Sequence, residues 1–269
     1  MSSPLRDAPP KNAVDRFIRR FHVVSHLTAV LALYAIAALA LGLALAPALG
    51  LFDWVRKLAA PLAGWSHWLA LGLGGGVAFF VFGFSLLVVV VVFNWLLPTR
   101  LASFRGSYYT LAAVPWYVHN ALFYLARFTF LPFFTFTPIG IWFLQAMGMK
   151  IGRGTLINSE YLSDLRLLTL GENVAVGGSV RIFAHYGGGG RLTIAPVVIG
   201  DRVTLGLSCT VMGNVVIGDG ATILPHSVLL PGSRVGEGEV WGGVPARLIP
   251  RDEMERFKEG IHGVRSRTE

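Results

Sequence analysis

The chain has a single cysteine, Cys209, among 269 residues, so no disulfide can form within it. Charge is scarce as well. Asp, Glu, Lys and Arg together make up 14% of the sequence, and the mean hydropathy is +0.60, both unusual for a soluble protein. Metal-ligand spacing is also lacking. Of seven histidines, only His185 and His226 fall in the C-terminal repeat region, forty-one residues apart, which is no zinc motif. A cleavable signal pattern is missing too: the first apolar run is too long, and no convincing A-x-A-like site follows it.

What is present is uneven. The apolar excess concentrates before residue 150. Residues 23–52 and 68–97 are nearly all apolar, the second run ending in SLLVVVVVFNWLL. Each exceeds the roughly 20 residues that cross a bilayer as a helix, so two transmembrane helices are expected within 23–103. Pro47 predicts a kink or an end to the first. Arg6, Lys11, Arg16, Arg19 and Arg20 precede it, and Arg100 and Arg105 follow the second. The intervening loop has only Arg56 and Lys57, beside Asp53. That bias predicts a multi-pass protein of the cytoplasmic membrane with both termini in the cytoplasm, 1–22 forming a basic N-terminus. The net charge of +8 fits anionic lipid beside the spans better than nucleic acid, which is not expected as a partner.

Residues 104–148 are crowded with aromatics and cut by Pro115, Pro132 and Pro138, with Arg105, His119 and Arg127 interposed. This pattern predicts short interfacial or re-entrant helices at headgroup depth, with a third crossing as the alternative. His22, His26, His67 and His119 are then interfacial as well.

From residue 149 to 250 the period changes. Ile199, Leu205, Val211, Ile217, Ile223, Leu229, Val235 and Trp241 fall six residues apart, often followed by glycine. This stride marks a hexapeptide-repeat parallel β-helix. Three hexads make one coil, so equivalent sites recur every eighteen residues, as at Ile199, Ile217 and Val235. Cys209 takes a fifth position, where small side chains point inward, and reads as a buried structural thiol. Traced backwards, the stride runs through Ile182, Val176 and Leu170 to Ile157 and Ile151. Ile151 to Leu170 is nineteen, which predicts a one-residue bulge. Ile182 to Ile199 carries eleven surplus residues, essentially YGGGGRLTIAP, immediately after His185. Insertions in solenoids form loops on one face, often the binding face. The remainder, 251–269, is charged and predicts a short helix and a tail.

The run RIFAHYGGGGRLTIAPVVIGDRVTLG, followed by further hexads and WGGVPARLIP, resembles the hexapeptide-repeat acyltransferases. His185, Val198-Ile199-Gly200-Asp201 and Gly242 to Arg247 occupy the places of that family's histidine, its IGD coil and its closing GGNPA segment. Upstream, WYVHNALFYLARFTFLPFFTFTPIGIWFLQAMGMKIGRGTLIN looks like the membrane-linked C-terminal units of poly-lysine-synthetase-like nonribosomal peptide synthetases, which pair two spans with one such coil domain. The resemblance implies a left-handed parallel β-helix and homotrimers with sites between subunits. As donor it implies acyl-CoA or a phosphopantetheine-linked acyl thioester, the latter on a carrier protein.

It also implies that Gly206, Ser208, Gly243, Ala246 and Arg247 contact coenzyme A, Arg247 matching its phosphates. Two departures stand out. Leu230-Pro231-Gly232 replaces the Thr-Lys of many sugar acetyltransferases, and Gly187 to Gly190 carry no side chains to read a sugar.

Acyl transfer from a thioester needs a base for the acceptor's proton and donors for the oxyanion, and neither a metal nor an enzyme nucleophile. His185 is the candidate base. Asp164 and Glu160, in the preceding coil, are candidates to orient it, with turn capping or solvated surface as the alternative for each, and Asn158 is weaker. His226 reads as a surface histidine at a turn. A γ-carbonic-anhydrase-like zinc site is disfavoured by the missing ligand motif. The expected function is acyl transfer to a hydroxyl or amine beside a membrane. The rivals are amide-forming condensation in poly-amino-acid synthesis and a non-catalytic membrane scaffold.

Overall fold

A computed structural model describes residues 13–250 together with 252 and 253. The far N-terminus and most of the charged C-terminal tail expected from the sequence lie outside these residues. The described residues divide into two units. One runs to Met147 and includes Gly189–Leu192; the other is Gly148–Gly188 with Thr193 onward.

The first unit is helical. α1 (Ala13–Arg20) leads into α2 (His22–Ala59), and α3 (Trp65–Leu96) returns beside it. Both long helices are long and apolar enough to cross a bilayer by length and composition. Ala40, Ala44 and Ala48 recur every four residues and are buried, so one stripe of α2 lets another backbone come close. Gly74 of α3 does the same, since a Cβ there would sit 2.5 Å from Val55 Cγ1.

Two expectations need correction here. α2 does not end near Pro47 but continues to Ala59, so of the two outcomes expected the termination is excluded, and Asp53, Arg56 and Lys57 belong to its last turns. The proline costs one helical hydrogen bond, and α2, which packs along α3, continues past it. His119 is not interfacial. It lies fully buried on α4 (Val114–Arg127), with Nδ1 2.9 Å from Asn94 Oδ1 of α3, because α4 packs on α3 there. A short strand, Phe104–Ser107, and α5 (Pro138–Ala146) complete this segment of short pieces. Thr137 caps α5, accepting a hydrogen bond from Gly140 N, and Pro138 sits at the first helical position, where its missing N–H costs nothing.

The second unit is a parallel β-coil with three faces. The first face stacks Lys150–Ile151, Leu168–Leu170, Val197–Ile199, Val216–Ile217 and Arg234–Val235. The second stacks Leu156–Ile157, Ala175–Val176, Thr204–Leu205, Thr222–Ile223 and Val240–Gly242. The third stacks Leu162–Ser163, Arg181–Phe183, Thr210–Val211 and Val228–Leu229. Register follows the stride: Ile199 pairs with Ile217, Leu205 with Ile223, Val211 with Leu229. The strands turn their aliphatic residues inward, where they stack from coil to coil, and a second set with one buried residue per hexad, Val203, Cys209, Val215 and Ala221, fills the three corners. Arg247–Leu248 folds back antiparallel on Trp241–Gly242 and closes the last coil.

Candidate active site

Every coil turns three times, so each residue between strands belongs to one of three corners. The corner after the third face is where both irregularities of the ladder fall. The expected one-residue bulge is really two compensating steps. Ile157 to Leu162 is five residues, one short of a hexad, and Leu162 to Leu170 is eight, two more than one. The surplus folds as a turn of 3₁₀-helix, Leu165–Leu167, entered through Asp164 in the left-handed region with φ 60°. Aspartate tolerates that conformation better than branched residues do.

The eleven-residue insertion leaves the same corner one coil later, as two strands, His185–Gly188 and Arg191–Ile194, joined through Gly189 and Gly190. Both glycines have positive φ, which a side chain would oppose.

Stacking of this corner puts Asp164 against His185. His185 Nδ1 lies 2.6 Å from Asp164 Oδ2. A carboxylate can only accept, so Nδ1 carries the hydrogen and donates it, and the imidazole presents Nε2 as its basic nitrogen. The Asp164 side chain is 0% exposed and that of His185 24%: the acid is held inside, and the ring reaches the surface. A buried carboxylate needs such partners. The Phe183 ring centroid lies 5.8 Å from that of His185. From the coil above, Gly213 rests on the same turn. A Cβ there would come within 3.0 Å of Ala184 C and 3.2 Å of His185 N. Gly213 escaped the sequence reading; counting one coil past Ala184, eighteen residues plus the eleven inserted, would have placed it at this corner.

The other sequence candidates lie elsewhere. Glu160 follows Leu156–Ile157 and sits at the corner between the second and third faces. Among the described residues no hydrogen bond or ion pair joins its side chain to His185. Gly206 and Ser208 stand at that second corner too, two coils below Gly243. Gly206 N donates to Ile223 O at 2.8 Å, and a Cβ there would meet Pro225 N at 2.5 Å, so close stacking already demands glycine. Ser208 has φ 57° and donates its N–H to Gly178 O. Gly243 N donates to Ser227 Oγ at 3.1 Å, Ala246 N donates to Val228 O at 2.8 Å, and Arg247 is exposed. The five cofactor candidates therefore gather around one corner, and His185 with Asp164 occupies the next. His226 is exposed at a turn with φ 59°. Cys209 is fully buried, and burial pushes its thiol up to about 12. Among the described residues no group of three His, Cys, Asp or Glu is placed to hold a metal ion.

The model of the bacterial transferase hexapeptide (six repeats) matches residues 196–231. A putative acetyltransferase of Bacillus subtilis, YvoF, is 30% identical over 156 residues, covering 54% of this chain and 90% of that protein. The delta-poly-L-ornithine synthetase of Acinetobacter baumannii is 28% identical over 121 residues, 45% of this chain and 9% of the synthetase. Gamma carbonic anhydrase 1 of Arabidopsis thaliana is 40% identical over 73 residues, 21% of this chain and 26% of that enzyme. The chain belongs to the hexapeptide-repeat acyltransferase family. The carbonic anhydrase match is short, and a shared coil does not by itself carry zinc chemistry.

Proposed function

We propose that the chain is a membrane-anchored acyltransferase that moves an acyl group from an acyl-CoA thioester to a hydroxyl or amine acceptor, with His185 as general base. The observation that carries this reading is the His185–Asp164 pair: a part-exposed imidazole whose Nδ1 is tied to a buried carboxylate. In the forward step His185 Nε2 takes the acceptor's proton as the acceptor oxygen or nitrogen attacks the thioester carbonyl. Asp164 stabilises the imidazolium that forms. The tetrahedral intermediate expels the thiolate, and the imidazolium returns the proton to sulfur, leaving the base as it began. Neither a metal nor an enzyme nucleophile enters the balance.

Gly206, Ser208, Gly243, Ala246 and Arg247 are proposed to receive the donor's pantetheine and phosphates. They lie one corner away from His185 within a chain, so a complete site needs the corner of a second copy, and a homotrimer supplies three such sites. The bilayer reading rests on what the long helices expose. Only 11% and 28% of their most apolar stretches are buried, and residues such as Leu31 (67% exposed) point outward, which water would not tolerate over such an area. The far end of α2 has two basic residues, Arg56 and Lys57, against Arg6, Lys11, Arg16, Arg19 and Arg20 ahead of the first span, and this excess of Lys and Arg supports cytoplasmic termini.

Full-length protein in mild detergent, given acetyl-CoA and a total lipid extract, should release free coenzyme A and yield an acetylated lipid by mass spectrometry. No coenzyme A release from acetyl-CoA or longer acyl-CoA would defeat the reading. Similarity to the ornithine synthetase favours a second one, amide formation from a carrier-protein thioester. Turnover with an aminoacyl carrier protein, and none with coenzyme A thioesters, would select it.

A further inference from the structure

The first unit contains a groove that acyl transfer leaves unused. Its volume is about 310 Å³, twice the ~150 Å³ apolar cavity that accommodates benzene. It lies among α1, the start of α2 and segment 108–117, and its walls are largely apolar, with Ile18, Val24, Leu33 and Val114 among them and Tyr109 and Tyr117 beside.

Two observations indicate what fills it. First, the groove opens on the first turns of α2, where Val23, Val24, Leu27 and Leu31 are all exposed, so its lining is continuous with the apolar outer surface of the helix. Second, α1 contributes Phe17 and Ile18 to the wall and bears exposed Arg16 and Arg20 on the same eight residues. An occupant must offer hydrocarbon to the walls, and an anionic one is favoured by the exposed positive charge of Arg16 and Arg20 on the helix that forms one wall, although neither arginine lines the groove itself.

We propose that the groove seats one acyl chain of an anionic glycerophospholipid, with its phosphate against Arg16 and Arg20. The inference rests on the membrane reading and is independent of the transfer chemistry. Bound in this way, the lipid fastens α1 to the start of α2 at the headgroup level and gives the protein a preference for anionic bilayers.

The test uses the full chain in phosphatidylcholine liposomes containing a trace of photoactivatable phosphatidylglycerol or phosphatidylcholine, with crosslinks mapped by peptide mass spectrometry. The phosphatidylglycerol label should concentrate in peptides of residues 17–33 and 108–117, at least about fivefold over the phosphatidylcholine label. Ala29→Trp, which fills the groove, should remove that labelling while liposome flotation persists. Arg16→Gln with Arg20→Gln should abolish the anionic preference and keep flotation. Equal labelling by both lipids, or label spread evenly along both long helices, overturns the proposal. So does groove labelling that appears only after deletion of residues 2–12, which would make that segment the occupant. A wild-type chain that fails to float refutes the membrane reading itself, a result distinct from flotation without selective labelling.

Discussion

His185 could be found in the sequence because the ladder breaks beside it; its partner could not be chosen. Asp164 and Glu160 both precede His185 by about one coil, and a linear count does not say which shares its corner. The step of five followed by the step of eight decides it, moving Asp164 onto the corner of the insertion and leaving Glu160 on the previous one. Asp164→Asn should therefore lower the transfer rate on the order of 10²–10⁴-fold, because an amide can donate to Nδ1 and favour the wrong tautomer, whereas Glu160→Gln should stay within about twofold. Comparing steady-state rates of the two variants on acetyl-CoA checks this. Cys209 offers a control unrelated to catalysis. Its thiol ionises near 12 when folded and near 9.0 when unfolded, so the folded state holds less thiolate at every pH below the higher value. Stability linked to this group is intact below about pH 9 and is lost as pH rises toward 12. At pH 8, iodoacetamide should modify native protein at least about 10²-fold more slowly than protein in urea, and comparable rates would show an open coil.

Among the elements, the repeat was the easiest to read. A six-residue stride predicts register by itself, and Ile199 does pair with Ile217 and Ile217 with Val235. The dry column explains its strictness. Ile217→Ala should cost about 2–5 kcal/mol in a denaturation experiment on the full chain, since its neighbours above and below are fixed by their own coils. The irregular turns were harder, because what sets them is contact with other coils and not local propensity. Gly213 is such a case. Gly213→Ala has to move the Ala184–His185 turn by a few tenths of an ångström, so the transfer rate should fall roughly tenfold or more with little change in melting temperature. An unchanged rate would mean that the turn yields without moving the base. In the helical unit, apolar length announced α2 and α3, but the helix end expected at Pro47 is absent: a proline inside a long helix packed on a partner does not terminate it. His119 misled for the same reason, its pairing with Asn94 being a product of packing that sequence position cannot express.

At the scale of the molecule, the central consequence is a division of labour between corners. The proposed base and the proposed cofactor residues stand at different corners of the β-helix, and nothing in a linear sequence reveals which corner a neighbour covers. If three copies share their sites, His185→Ala and Arg247→Glu should complement each other. Co-expressed, the two inactive chains form mixed trimers in which some interfaces combine an intact His185 with an intact Arg247. Activity in the affinity-purified mixed species, absent from either variant alone, is the expected result; no recovery would place the whole site within one chain.

The measurement that tests the account most directly is the rate of coenzyme A release from acetyl-CoA by His185→Ala, compared with wild type in the same detergent and at the same oligomeric state. The His185–Asp164 base predicts a loss on the order of 10²–10⁴-fold with assembly and melting temperature preserved. A variant that is fully assembled and turns over at the wild-type rate would contradict it.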